Sequence, residues 1–121
     1  MNHNIKSIKY TKDKIKRIFN EYSKGLFEGS NGLLIGRIRQ ELRHGKAHFI
    51  YRILNSKKTF DTEIFDIEIV GDDGQIKLSA KFVSNQKSSL LTINNLESEI
   101  DKIIQSENCG NFMSYLISIS S

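Results

Sequence analysis

The chain has 121 residues, a net charge of +4, a single cysteine and no proline. A chain of this length buries about two thirds of its unfolded surface in one core, so a single domain over residues 1–121 is expected, and the lone Cys109 excludes an intrachain disulfide. The opening MNHNIKSIKYTKDK is too polar for a signal peptide, and no apolar run approaches the ~18 residues of a membrane span. The expectation is a soluble, cytoplasmic protein without a membrane partner.

Ile, Lys and Asn together make 41 of the 121 residues, the usage of AT-rich coding sequence, as in a phage or mobile element. Charge is distributed unevenly. Residues 1–58 hold 14 Lys and Arg against 4 Asp and Glu, a net of +10, whereas residues 59–121 hold 4 against 10, a net of −6. Such bipolarity either selects a partner of one sign, commonly nucleic acid for the basic half, or is neutralised across the fold.

In chain order, Asn4 to Tyr10 reads as a short strand. Ile15, Ile18, Phe19, Tyr22 and Leu26 then fall at helical spacing, predicting an amphipathic helix from Lys12 to Phe27 with Thr11 as N-cap and Lys14, Lys16, Arg17 and Lys24 on its polar side. Gly25, Gly29, Gly32 and Gly36 mark a loop. Leu34, Ile38 and Leu42 recur every four residues, which predicts a second helix from Leu33 to His44 carrying Arg39 and Arg43 together. Gly36 weakens that helix by ~1 kcal/mol relative to alanine and leaves a strand over GLLIGRI as the alternative.

Lys46 to Leu54 reads as a strand with Ala47, Phe49, Tyr51 and Ile53 on one face and Lys46, His48, Ile50 and Arg52 on the other. The clearest element is a hairpin over Ile64 to Phe82. Phe65, Ile67 and Ile69 alternate with acids, and Ile76, Leu78, Ala80 and Phe82 alternate with Lys and Ser. The register that pairs Ile69 with Ile76, Ile67 with Leu78, Phe65 with Ala80 and Glu68 with Lys77 matches both faces, with Gly71 to Gly74 as the turn. Ser84 to Ser88 connects it to a strand from Leu90 to Ile93. A helix capped by Asn94 or Asn95 should then run to Gln105, with Leu96, Ile100, Ile103 and Ile104 inward; Asn94 as cap would place Glu97 in a capping box. Phe112 to Ile119 reads as a last strand, paired in the sheet or across a homodimer interface because its apolar edge would otherwise aggregate. The fold class expected is α+β: two N-terminal helices and one later helix on one face of a mainly antiparallel sheet of four to six strands.

No metal-ligand set or cofactor motif is present. His44 and His48 straddle Gly45 and lack a third ligand. Arg39, Arg43, His44, Lys46, His48, Tyr51 and Arg52 do supply, within fourteen positions, a base, proton donors and cations, the parts of a metal-independent ribonuclease. The order of helices followed by an antiparallel meander resembles the small ribonuclease toxins of the barnase and RelE type, a likeness of architecture only. Asp61, Glu63, Asp66 and Glu68 read as a solvated strand face, and Cys109 as packing.

Gly29, Ser30, Asn31 and Gly32 form a GxxG between two expected helices, followed by Ile35, Ile38 and Arg39. Over residues 26–54 this resembles the KH domain, whose GxxG loop clamps a nucleic-acid backbone. The loop pair here is Ser and Asn instead of basic residues, the first helix is longer, and extra strands follow. The bare reading of the same residues is a helix C-cap and turn.

The function these features point to is a non-catalytic binding module whose basic face, comprising Lys14, Arg17, Lys24, Arg37, Arg39, Arg43, Lys46 and Arg52, meets RNA or DNA phosphate. Only Tyr51 and Phe27 stand near enough to stack a base. The alternatives are an inhibitor of the immunity or antitoxin kind that binds an oppositely charged protein, and the ribonuclease, with His44, His48, Arg39, Arg52 and Tyr51 as its site.

Overall fold

The computed structural model describes residues 2–71, 74–82 and 88–120. A long helix α1 (Asn2–Gly29) precedes five strands, β1 (Leu34–Arg43), β2 (Lys46–Asn55), β3 (Asp61–Ile69), β4 (Gln75–Ala80) and β5 (Ser88–Thr92), and two helices close the order, α2 (Ile93–Ile104) and α3 (Glu107–Ser120). The strands form one antiparallel meander in the order β1-β2-β3-β4-β5. The fold is α+β, with one N-terminal helix instead of two.

The hairpin of β3 and β4 has the register expected from both faces: Phe65 opposite Ala80, Ile67 opposite Leu78, Glu68 opposite Lys77 and Ile69 opposite Ile76. Its tip at Asp72 and Asp73, and the connection over 83–87, lie outside the described residues. The inward residues of β2, β3 and β4 meet Ile15, Ile18 and Phe19 of α1 and Leu96 and Ile100 of α2 in a single core. Phe19 stacks on Tyr51 at 4.7 Å between centroids and lies 5.8 Å from Phe65, and Phe82 stacks on Phe112 at 5.5 Å, so aromatic rings tie α1, the sheet and α3 together.

Three expected elements differ. The stretch Asn4 to Tyr10 is helical, because α1 starts at Asn2; Thr11 is buried within that helix and serves as part of its inward stripe instead of as a cap. With no proline in the chain, nothing breaks the helix upstream. The segment Leu33 to His44 is strand β1, and the physical reason is visible in its charges: Arg37, Arg39, Glu41 and Arg43 occupy every second position, which a sheet with one wet face accommodates and a helix would scatter around its axis. His44 at φ 54° and Gly45 at φ 77° then make a two-residue turn of the kind that matches strand twist. Finally, Phe112 to Ile119 lies in helix α3. Cys109, Leu116 and Ser120 are its buried positions, while Tyr115 and Ile119, inward on a strand reading, are 59 % and 46 % exposed. A short apolar run fits either period, and here 3.6 prevails.

The GxxG residues cap α1. Gly32 N–H donates to Phe27 O at 2.7 Å and Asn31 N–H to Glu28 O at 3.2 Å, with Asn31 at φ 56°, the paired bonds of a Schellman cap. A strand follows directly, so the helix–loop–helix implied by the KH resemblance is absent. Thr92 stands at the N-cap of α2 without a side-chain bond, ahead of Asn94 and Asn95, which lie inside the helix.

Candidate nucleic-acid interface

The described helices cover one face of the sheet; the other carries charged side chains over the buried Ile50 and His48. On that open face the acids of β3 face the cations of β1 and β2. Arg43 is the hub: it reaches Glu63 at 2.9 Å, Glu41 at 3.1 Å and Asp66 at 3.4 Å. Hydrogen bonding to Glu63 first, with support from Glu41 and the nearby Asp66 charge, holds its guanidinium pKa above the ordinary arginine value. Lys46 pairs with Glu68 at 3.6 Å, Arg52 with Asp61 at 2.8 Å, and Lys81 with Glu63 at 3.8 Å. His48 is buried between Asp66 at 2.7 Å and Glu68 at 3.4 Å, one carboxylate at each ring nitrogen.

A β-bulge makes this matching work. The register shifts between Tyr51 and Arg52, so that Tyr51 stands opposite Phe65 and Arg52 opposite Glu63. Ile64 is the extra residue and joins Phe65 in the core. In an unbulged ladder Arg52 would face Ile64, and the acids Asp61 and Glu63 would turn inward.

One corner of the open face escapes neutralisation. Arg37, Arg39, Arg52 and Lys58 line an open cavity of about 320 Å³ whose apolar surface comes from Leu54 and Phe60 and whose one carboxylate is Asp61. Arg37 and Arg39 are exposed and form no ion pair among the described residues. Arg37 stands directly opposite Arg52 across the β1–β2 ladder, a like-charge pairing that a sheet ordinarily avoids.

The loop that brings Lys58 and Phe60 to this corner is held from beneath by Asn55, which is fully buried. The Asn55 side-chain oxygen accepts from Thr59 N–H at 2.7 Å and Phe60 N–H at 3.4 Å, its amide donates to the Thr59 hydroxyl, and Lys58 N–H donates to Asn55 O at 2.9 Å. This is an Asx-type anchor. Lys58 takes φ 56° as a consequence. The cation is therefore placed by the backbone before any ligand arrives.

The eight expected basic residues do not form one surface. Lys14, Arg17 and Lys24 belong to α1, which covers the other face of the sheet; Arg17 and Lys24 share a shallow groove with Asp13 and Glu21, and Lys14 sits over the Tyr10 ring at 5.8 Å. Arg43, Lys46 and Arg52 are ion-paired on the open face, leaving Arg37 and Arg39 without carboxylate partners there. Of the residues grouped for ribonuclease chemistry, His44 is exposed at the β1–β2 turn, and Tyr51 is buried on the core face, opposite to His48, Arg39 and Arg52. Tyr51 shares a 3.0 Å hydrogen bond with Ser23, and burial pushes its phenol pKa up. The five side chains are not gathered into one cleft, and Tyr51 is not placed to stack a base. Among the described residues no group of three or more His, Cys, Asp and Glu is arranged to hold a metal, and no helix is long and apolar enough to cross a membrane.

Lys58, Phe60 and Leu54 were not among the residues singled out by sequence. The available signal was the Asn55-x-x-x-Thr59 spacing, which marks a side-chain-anchored turn, and the cation within it. In comparisons with known proteins, no family model, no curated protein and no solved structure matches this chain.

Proposed function

We propose that this protein binds the phosphate backbone of single-stranded nucleic acid through the corner of the open sheet face formed by Arg37, Arg39, Arg52 and Lys58. The observation that supports this reading is the cavity itself: Arg37, Arg39 and Lys58, none of them in an ion pair among the described residues, converge beside Arg52, which is paired with Asp61, whereas Arg43 and Lys46 on the same face are held by acids. Arginine suits the task because its planar fork meets phosphate oxygens two at a time. Leu54 and Phe60 add apolar surface for a sugar or base, and Asn55 fixes the loop so that less ordering entropy is lost on binding. Phosphate contacts position without reading sequence, so binding is expected to be largely indifferent to base identity.

Fluorescence anisotropy with labelled single-stranded RNA, single-stranded DNA and duplex across salt concentrations tests this. Binding should weaken steeply with salt. Arg37→Gln/Arg39→Gln should reduce the slope of log K against log salt by about 1.4, at about 0.7 per lost contact on a single strand, whereas Lys14→Gln/Arg17→Gln on α1 should leave it unchanged. Absence of binding at low salt, or equal loss from the α1 pair, would overturn the reading and direct the search to an oppositely charged protein partner. Gel analysis of the RNA after incubation reads out cleavage in the same samples.

A further inference from the structure

The helical layer over the core face of the sheet is grooved, although Tyr51, Ile64 and Phe65 beneath it stay buried. Between α1, α2 and α3 opens a cleft of about 450 Å³, within the range of small-molecule sites. Leu26, Tyr51, Phe65, Ile104 and Met113 supply an apolar wall, and Tyr22 bridges the helices by donating its hydroxyl to Asp101. Three exposed acids, Glu21, Glu97 and Asp101, stand among the lining residues, and none of them forms an ion pair among the described residues.

A second, independent feature lies in α1. Gly25 lines the cleft from inside the helix, where glycine is less favourable than alanine. Its backbone does not require glycine, since its φ is not positive, and a Cβ built there would meet nothing within 4 Å. The space that a side chain would occupy is left open. By contrast, Gly36 is forced by close packing. Gly25 is one of the cleft's lining residues and leaves its α1 edge without a side chain.

We infer that this cleft is a binding site for a small organic ammonium ligand whose apolar body, of about the size of a naphthalene ring, enters between α1 and α3 while its cationic head stays at the mouth with Glu21, Glu97 and Asp101. The apolar wall supplies affinity by removing the body from water. The three carboxylates select the sign of charge, favouring an amine and disfavouring an anion of the same shape. The half-buried Tyr22 presents ring surface on which an ammonium group gains further attraction. The site lies on the helical side of the sheet, away from the Arg37–Arg39 corner, and does not rest on the nucleic-acid reading.

The test is a titration of the ¹⁵N-labelled full chain, followed by amide shifts, with three probes that share one ring system: 2-(1-naphthyl)ethylammonium, the neutral 2-(1-naphthyl)ethanol and the anionic 1-naphthaleneacetate. The amine should bind at least about tenfold more tightly than the anion, with shifts centred on residues 21–26, 64–65, 104 and 113. Glu97→Gln/Asp101→Asn should narrow that ratio to within about threefold while the neutral probe still binds. Gly25→Leu, which fills the cleft from the helix, should abolish shifts from every probe without lowering the unfolding midpoint. Equal affinity for amine and anion, a ratio unchanged in the double variant, amine shifts that persist in Gly25→Leu, or no shifts at millimolar probe would each overturn the assignment.

Discussion

At Gly36 one absent atom sets the packing of α1 against the sheet. A Cβ there would lie 1.9 Å from the Tyr51 hydroxyl oxygen and 2.8 Å from Ser23 Oγ, so the glycine lets the Tyr51 ring cross β1 and bond to α1. Gly36→Ala should destabilise the protein by about 1–3 kcal/mol, the usual range for overpacking, as read from urea unfolding. Tyr51→Phe in the same background should recover part of the loss, because the nearest contact is the hydroxyl. Arg37 carries the opposite signature. Facing Arg52 and lacking an acid, it should be replaceable by Gln with stability unchanged or raised by a few tenths of a kcal/mol, while nucleic-acid affinity falls. Cys109 is buried, and burial raises its thiol pKa; its alkylation at neutral pH should be slow in the native protein and fast after unfolding. The sequence already suggested a packing cysteine. Nothing in it showed that Gly36 was held by a tyrosine fifteen residues away, because that contact depends on strand register.

Among the elements, those legible in the sequence had two faces of different chemistry. The β3–β4 hairpin alternates acids or lysines with large apolar residues on both strands, so only one register satisfies it. β1 was ambiguous because Leu34, Ile38 and Leu42 fit a helical stripe while Arg37, Arg39, Glu41 and Arg43 fit a strand; Leu42 is in fact 77 % exposed, so the apolar pattern misled and the charged one was informative. α3 lacks charge after Glu107, and without a polar face its period is hard to read. The bulge at Ile64 left no mark beyond two adjacent apolar residues. The helical assignment of α3 can be checked at Gly110, whose Cβ would meet nothing within 4 Å. Gly110→Ala should stabilise by about 0.5–1 kcal/mol in thermal or urea unfolding; a destabilisation would contradict a helix there. On the open face, Arg43→Ala should cost about 1–3 kcal/mol, since it strips counter-charge from Glu63 and Asp66, whose side chains are only 19 % and 13 % exposed.

For the whole molecule, the charge contrast between the two halves of the chain is resolved by folding only on the open face of the sheet. β3 belongs to the acidic half and β1 and β2 to the basic half, and their order in the sheet brings Asp61, Glu63, Asp66 and Glu68 to Arg43, Lys46, His48 and Arg52. Among the described residues, the cluster of cations left uncompensated on that face is the Arg37–Arg39 corner with Lys58; Lys77 of β4 stands alone. Sequence order alone could show the imbalance but not which cations would lose their charge to neighbours, because that is a property of sheet pairing. Alkaline stability follows from the buried acids. Tyr22, Tyr51 and Cys109 all have pKa values pushed above their ordinary ones, chiefly by burial and, for Tyr22, also by the bond to Asp101. Groups raised in the folded state contribute stability that is complete below the unfolded values, about 8.5 for the thiol and 10 for the phenols, and is lost as pH rises through the folded values. Unfolding midpoints should therefore fall from about pH 8.5 upward, with a shallower fall in Tyr51→Phe than in the parent protein.

The central claim is that the uncompensated corner of the open face, and not the basic side of α1, meets the ligand. Amide shift mapping of the ¹⁵N-labelled chain with a short single-stranded oligonucleotide tests it most directly. Saturable shifts confined to residues 37–39, 52 and 56–61 are predicted; shifts centred on Arg17 and Lys24 of α1, or none at low salt, would contradict it.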